Sequence, residues 1–255
     1  MKKFINVLLI INGLIIPVFL SILIYNHFTK TPDETEPEPG GIIVGEEFEQ
    51  AKRDSLALQG ISYDRLLPIY NSTNFYLPIS AKTFEEARQL VRDQNSAGDF
   101  YSGWFNYVNV LFLDKEYGVI GRLLDKKASI EEIKVLGYNH YDDEPIDKTA
   151  KNMAYMIGYD DSNKDGTLNY LDDHDLYITD LDGRNLTKAT RDIDVLDFTF
   201  IKSNSEILIQ YSDRSTMRDE YKQVKFAIYK ISTGEFKELK AIGDSLNEIE
   251  AILLK

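Results

Sequence analysis

The sequence predicts a mainly β domain carried behind an N-terminal membrane-spanning helix. Three observations lead there. From residue 61 onward, short apolar runs alternate and are cut by Asn, Asp, Gly and Pro. One hairpin pattern recurs along that stretch. Ahead of it, Phe4 to Tyr25 runs 22 residues without a charge, and about 20 apolar residues suffice for a helix to cross a bilayer.

The first element is that span. Residues 1–3 form a short basic head, and Lys2 and Lys3 hold it in the cytoplasm. The apolar run over residues 4–25 ends in Ile24-Tyr25-Asn26-His27-Phe28, which offers no small-x-small cleavage site. An uncleaved signal anchor is expected, single-pass in the inner (cytoplasmic) membrane. The remainder then lies in the periplasm or outside the cell. Within the span, Asn12, Gly13 and Pro17 suit docking on another membrane helix. They equally suit a plain anchor with one tolerated polar residue.

Residues 26–60 read as an acidic, Pro-rich tether with a stalk helix. Thr31 to Gly41, TPDETEPEPGG, is extended and solvated by its like charges. A helix is expected over Glu46 to Gln59. Residues 61–255 form the extracytoplasmic domain. Strands are expected at Leu66–Tyr70, Phe75–Ile79, Tyr107–Leu113 and Val119–Leu124. Thr83-Phe84-Glu85-Glu86 is a capping box, so a helix should run from there to Gln94. Trp104 sits in an aromatic cluster, residues 100–107, which serves either as core packing or as a stacking surface for a glycan or partner.

The chain has 255 residues, 43% hydrophobic, with net charge -13, a globular composition. Its acidity argues against nucleic acid, whose backbone calls for Lys and Arg. It has no cysteine, which excludes disulfides, thiol catalysis and thiolate metal sites.

Three segments share one hairpin pattern. They are Val110–Gly118 leading to Leu123-Leu124, Leu176–Gly183 leading to Leu186-Thr187, and Ala227–Gly234 leading to Phe236 and Leu239. Each is an alternating strand, a polar turn ending in glycine, and a second strand. Between the last two lies a further pair, Val195–Phe200 and Glu206–Tyr211. Four strands per unit, recurring every 50 to 65 residues or so, make a propeller blade. The domain has room for about four blades at ~45 residues each, so a small or incomplete propeller is expected. LYITDLDGRNLTKAT followed by DVLDFTFIKSNSEILI resembles the repeats of TolB-like, WD-repeat-like bacterial propellers. That resemblance covers roughly Asn152 to Leu239 and implies protein–protein contacts in the envelope.

One stretch asks for a specific chemistry. In Asp161 to Asp172, DSNKDGTLNYLD, oxygen side chains fall at loop positions 1, 3, 5, 9 and 12, with glycine at 6 and an apolar residue at 8. A calcium ion wants six to eight oxygens, and a tight turn at position 6 lets a short loop wrap it. Asp161, Asn163 and Asp165 would supply side-chain oxygens and Thr167 its carbonyl. Asn169 would act directly or through water, and Asp172 would close the shell. The closing Asp replaces the longer Glu of a helix-loop-helix site, and both flanks read as strands. The loop resembles the dockerin type, including Asn169 at position 9. A structural Ca2+ is expected. The alternative is an acidic surface turn, since Asp, Asn and Gly also dominate turns.

No catalytic constellation is evident. The three histidines are His27, His140 beside Asp142 and Asp143, and His174 beside the acidic loop. There is no G-x-S-x-G, no H-E-x-x-H and no phosphate loop. The expected function is a non-enzymatic interaction module that binds other envelope or inner-membrane proteins. The alternatives are an accessory subunit of a membrane enzyme or transport complex, and a glycan- or peptidoglycan-binding sensor.

Overall fold

The alternating runs pair as three antiparallel meanders in chain order. The computed structural model describes residues 41–54, 59–83, 107–135, 148–214 and 223–253. The expected membrane span, the tether up to residue 40, the helix after Thr83, Trp104, His27 and His140 lie outside them. No helix among the described residues is long and apolar enough to cross a membrane.

The first meander contains β2 (Gln59–Tyr63), β3 (Leu67–Pro68), β4 (Phe75–Thr83), β5 (Tyr107–Leu113) and β6 (Val119–Arg122). Both β2 and β3 pair with β4, β4 with β5, and β5 with β6. The second runs β7 (Ser129–Val135), β8 (Asn152–Gly158), β10 (Asp175–Asp180) and β11 (Thr187–Lys188). The third runs β12 (Ile193–Ile201), β13 (Glu206–Asp213), β14 (Lys225–Lys230) and β15 (Glu235–Glu238). Tyr107 opposite Ile130 joins the first two meanders into one nine-stranded sheet. The fold is therefore mainly β, in several antiparallel sheets, and none of them closes among the described residues. Two further strands, β1 (Ile42–Ile43) and β9 (Thr167–Leu168), pair with each other. The helices are α1 (Gly45–Arg53) and α2 (Lys240–Leu253).

The four hairpin pairs read from the sequence are all present, and β5 has the expected bounds. Several elements differ. The strand expected at Leu66–Tyr70 is Leu67–Pro68, that at Val119–Leu124 ends at Arg122, and β2 and the helix Lys240–Leu253 were not expected. Phe75–Ile79 extends to Thr83, so the first residue of the expected capping box is the end of a strand. The stalk helix stops at Arg53, and Gln59 opens β2. Strand β7 has no counterpart in the sequence reading. A bulge between Ile130 and Glu132 breaks its alternation, and an extra residue flips every later side chain to the other face.

Strand β8 is the centre of the packing. Met153, Tyr155 and Ile157 point into one core, with Val110, Phe112 and Ile130. Ala154 and Met156 point into a second core, with Phe198, Ile207 and Ile209 of the third meander. The register with β10 keeps the faces apart: Tyr155 opposes Tyr177, while Met156 opposes Leu176 and Ala154 opposes Ile178. A strand covered on both faces needs a continuous apolar run, and NMAYMIG is one. Fully burying a residue such as Phe198 or Ile209 contributes roughly 1.5–3 kcal/mol.

Two of the turns are built alike. Asp114 closes β5, and its Oδ1 accepts the N–H groups of Glu116 and Gly118, both at 2.8 Å. Asp180 closes β10, and its Oδ1 accepts those of Asp182 and Arg184 at 3.0 and 2.8 Å. The residue three positions after each aspartate, Tyr117 or Gly183, is left-handed with φ of 65° or 72°. The recurrence seen in the sequence thus extends to individual hydrogen bonds.

Candidate metal centre

The acidic loop is the connection between β8 and β10, which pair with each other directly. It is flanked by strands on both sides, as the aromatic and β-branched flanks predict. Gly166 (φ 86°) and Lys164 (φ 60°) take the left-handed turns that curl it. A Cβ on Gly166 would meet nothing within 4 Å, so position 6 needs glycine for its conformation and not for space.

The sequence-predicted ligands are wound into one turn network. The Asp161 carboxylate accepts the N–H groups of Asp165 and Gly166 at 3.1 and 2.9 Å. Asn163 Oδ1 accepts from Asp165 N at 3.0 Å, and Asp165 Oδ1 from Thr167 N at 2.8 Å. Asp172 reaches back from the far end. Its Oδ1 accepts from Ser162 N at 2.8 Å and its Oδ2 from Asn169 N at 2.9 Å. Among the described residues, no three His, Asp or Glu side chains gather as a metal-holding group. Backbone N–H donors hold the three aspartates in one loop. The Asp161 and Asp165 oxygens each accept one bond and keep a lone pair, whereas Asp172 Oδ1 takes Ser162 N, Ser162 Oγ and Asn163 N together.

Asp172 is 3% exposed. Burial pushes its pKa up, against the pull of the backbone N–H bonds, and the Asp161 charge adds to the push. Its ionised form is thus held in a place that disfavours negative charge, which a divalent cation would reverse. Asn169 is fully buried. Its Oδ1 accepts from Leu171 N at 2.7 Å, while Nδ2 has no protein partner. A buried amide end without a partner is costly and calls for a water or another ligand. A hard-oxygen donor set and a carboxylate short of positive charge fit a calcium-type ion, whereas the free Asn169 Nδ2 is a donor and calls for an acceptor such as water.

Two features of the site were not legible in the loop itself. Positions 7 and 8, Thr167 and Leu168, form β9 and pair with Ile43 and Ile42 of β1. Val44 N also donates to Gly166 O at 2.8 Å. The residues directly after the tether are therefore stitched to the loop. Gly41 permits this approach, since a Cβ there would lie 2.4 Å from Leu168 O. The reading of residues 26–60 as tether and stalk did not include this pairing. The second feature is His174, which is buried. Its Nδ1 donates to Asp172 O at 2.8 Å, because a carbonyl can only accept. Its own N–H donates to Asp194 Oδ1 at 3.1 Å, and its carbonyl accepts from Val195 N at 2.8 Å. His174 thus braces the loop exit against the start of β12. Next to it, buried Asp175 is paired with Lys188 and Arg214 and accepts from Thr190 Oγ1.

No family model matches the chain, and no curated protein and no solved structure is significantly similar to it.

Proposed function

We propose that the protein is a membrane-anchored, extracytoplasmic, non-catalytic interaction module whose propeller-like blades are stabilised by calcium at the 161–172 loop. The observation that carries this reading is the loop: hard oxygens at every template position, in a strand-to-strand connection, with a buried closing carboxylate. Asp161, Asn163 and Asp165 would hold the ion with their side chains and Thr167 with its carbonyl. Asn169 would act through a water, and Asp172 would close the site. Such an ion would neutralise the loop and cross-link β8, β10 and, through β9, the β1 segment. Its role is structural, since the flanks are strands and offer no helix pair to reorient. The blade-like reading is supported by the four-stranded meander β12 to β15, which packs against the β8 and β10 part of the larger sheet. The membrane placement rests on the uncharged run at residues 4–25.

Thermal unfolding tests the calcium reading. With calcium at about 100 times its Kd, a native-state site adds about 2.7 kcal/mol. At about 2–4 °C per kcal/mol for a domain of this size, Tm should rise by roughly 5–11 °C over the chelated protein. Asp161→Ala with Asp165→Ala should lower the melt and remove its calcium dependence. An identical melt with calcium and with chelator would reject the site. For the placement, the chain should sediment with membranes and resist carbonate extraction, and added protease should reach the domain only from outside the cell. Recovery in the soluble fraction would reject the anchor.

A further inference from the structure

The residues after the glycine turn of the acidic loop have two working edges. On one edge, Gly166 O accepts Val44 N at 2.8 Å, and Thr167 and Leu168 of β9 stand opposite Ile43 and Ile42 of β1. On the other, Thr167 N donates to Asp165 Oδ1 at 2.8 Å, so Thr167 turns its main chain to the loop interior. The N–H and C=O of one strand residue point the same way, and the direction alternates along the strand. The Thr167 carbonyl therefore faces the carboxylates, while the carbonyls on either side of it face β1.

The other holds on β1 are small. It has two residues. Ile42 packs on Leu168 and on Ala81 of β4, and Ile43 N donates to Gln59 Oε1 at 2.8 Å. So short a ladder does not stand by itself, and β1 stays only where β9 keeps its shape. That shape depends on the charges beside it. Asp161, Asp165 and buried Asp172 fall within twelve residues, and their repulsion opens the loop unless a cation answers it. The loop interior is also unfinished. Fully buried Asn169, next to β9, has no protein partner for Nδ2, and an ion-bound water is an acceptor that fits.

We propose that β1 is a strap: the calcium-loaded loop holds residues 42–44 against the domain, and the ion-free loop releases them while the sheets stay folded. The proposal rests on the calcium reading and adds a moving part to it, a strand and not a helix pair. The release is bounded, because α1 keeps its own hold, with Ala51 buried and the Phe48 ring under Lys127. The strap begins where the Pro- and Glu-rich stretch 31–41 ends, so its release lengthens the free chain ahead of α1. The coupling is reciprocal: whatever the ion adds to strap docking, the docked strap adds to ion affinity.

The test follows amide exchange of the full chain in lipid discs, with calcium or with chelator, beside its melt. In chelator, Val44 should exchange at close to the rate of an unfolded chain while the β8 amides stay protected. Calcium should then slow Val44 about fivefold or more. Calcium affinity, titrated against a fluorescent chelator, should fall by a similar factor in Gly41→Ala. It should also fall in Ile42→Ala, which removes apolar contact and leaves the backbone of the strap unhindered. Gly45→Ala should bind calcium as the parent does. A Tm raised by calcium with Val44 equally slow in chelator would overturn the strap and leave the calcium reading standing. Loss of β8 protection together with Val44 in chelator would mean that the ion holds the whole domain, and would also overturn the strap. So would parent-like calcium affinity in both strap variants. If neither the melt nor the titration responds to calcium, the calcium reading fails and the strap fails with it.

Discussion

Gly183→Ala is expected to destabilise the protein by about 3–5 kcal/mol, and so to lower Tm by roughly 6–20 °C. Gly183 lies in the Asp180 turn with φ 72°, a conformation that costs a non-glycine residue about 1 kcal/mol or more. Space is the larger problem. A Cβ there would sit 2.1 Å from Phe112 Cε2 and 2.3 Å from Cζ. Phe112 is 1% exposed in the first core, so its ring has nowhere to go without displacing its neighbours. The contact joins β5 of the first meander to the turn of the second. Combining Gly183→Ala with Phe112→Leu should therefore cost clearly less than the sum of the two single changes. A Gly183→Ala protein within 1 kcal/mol of the parent, by chemical denaturation, would show that this contact does not seat the two meanders.

Gly41→Ala should detach β1 from the acidic loop, at a cost of about 2–4 kcal/mol from lost apolar burial and backbone hydrogen bonds. Here the obstruction is main chain: Leu168 O at 2.4 Å cannot rotate away as a side chain could. Ile42, 5% exposed, would lose its place beside Ala81 and Leu168. Val44 N would lose its bond to Gly166 O. Amide exchange should report this as lost protection at Val44, with the β8 amides unchanged. Gly45→Ala is the control. Gly45 is also left-handed, φ 76°, but a Cβ there meets nothing within 4 Å, so only the conformational cost of about 1 kcal/mol applies. Equal effects at the two glycines would argue that shape at Gly41 is irrelevant.

Much of this architecture was legible in the chain because its causes are local. The hairpins at Asp114 and Asp180 announce themselves, since an aspartate ending an alternating strand takes the N–H groups two and four residues on. The turns of the acidic loop are equally local, because the hydrogen bonds of Asp161, Asn163, Asp165 and Asp172 run among its own twelve residues. Strand β2 escaped notice for the opposite reason. Ile61 and Tyr63 are 72% and 70% exposed, so its apolar residues do not mark a buried face. Strand β7 escaped because its bulge breaks the period on which the reading relied.

The sequence by itself determined the strand-turn-strand units, the glycine at loop position 6 and the oxygen donors around it, because each follows from neighbours a few residues apart. Tertiary structure alone decided that β8 is covered on both faces, that Phe112 lies against Gly183, and that Gly41 lets the segment after the tether pair with loop positions 7 and 8. Those contacts join residues far apart in the chain. The missing Cβ that allows two of them carries no sign, in the sequence, of what it must let through.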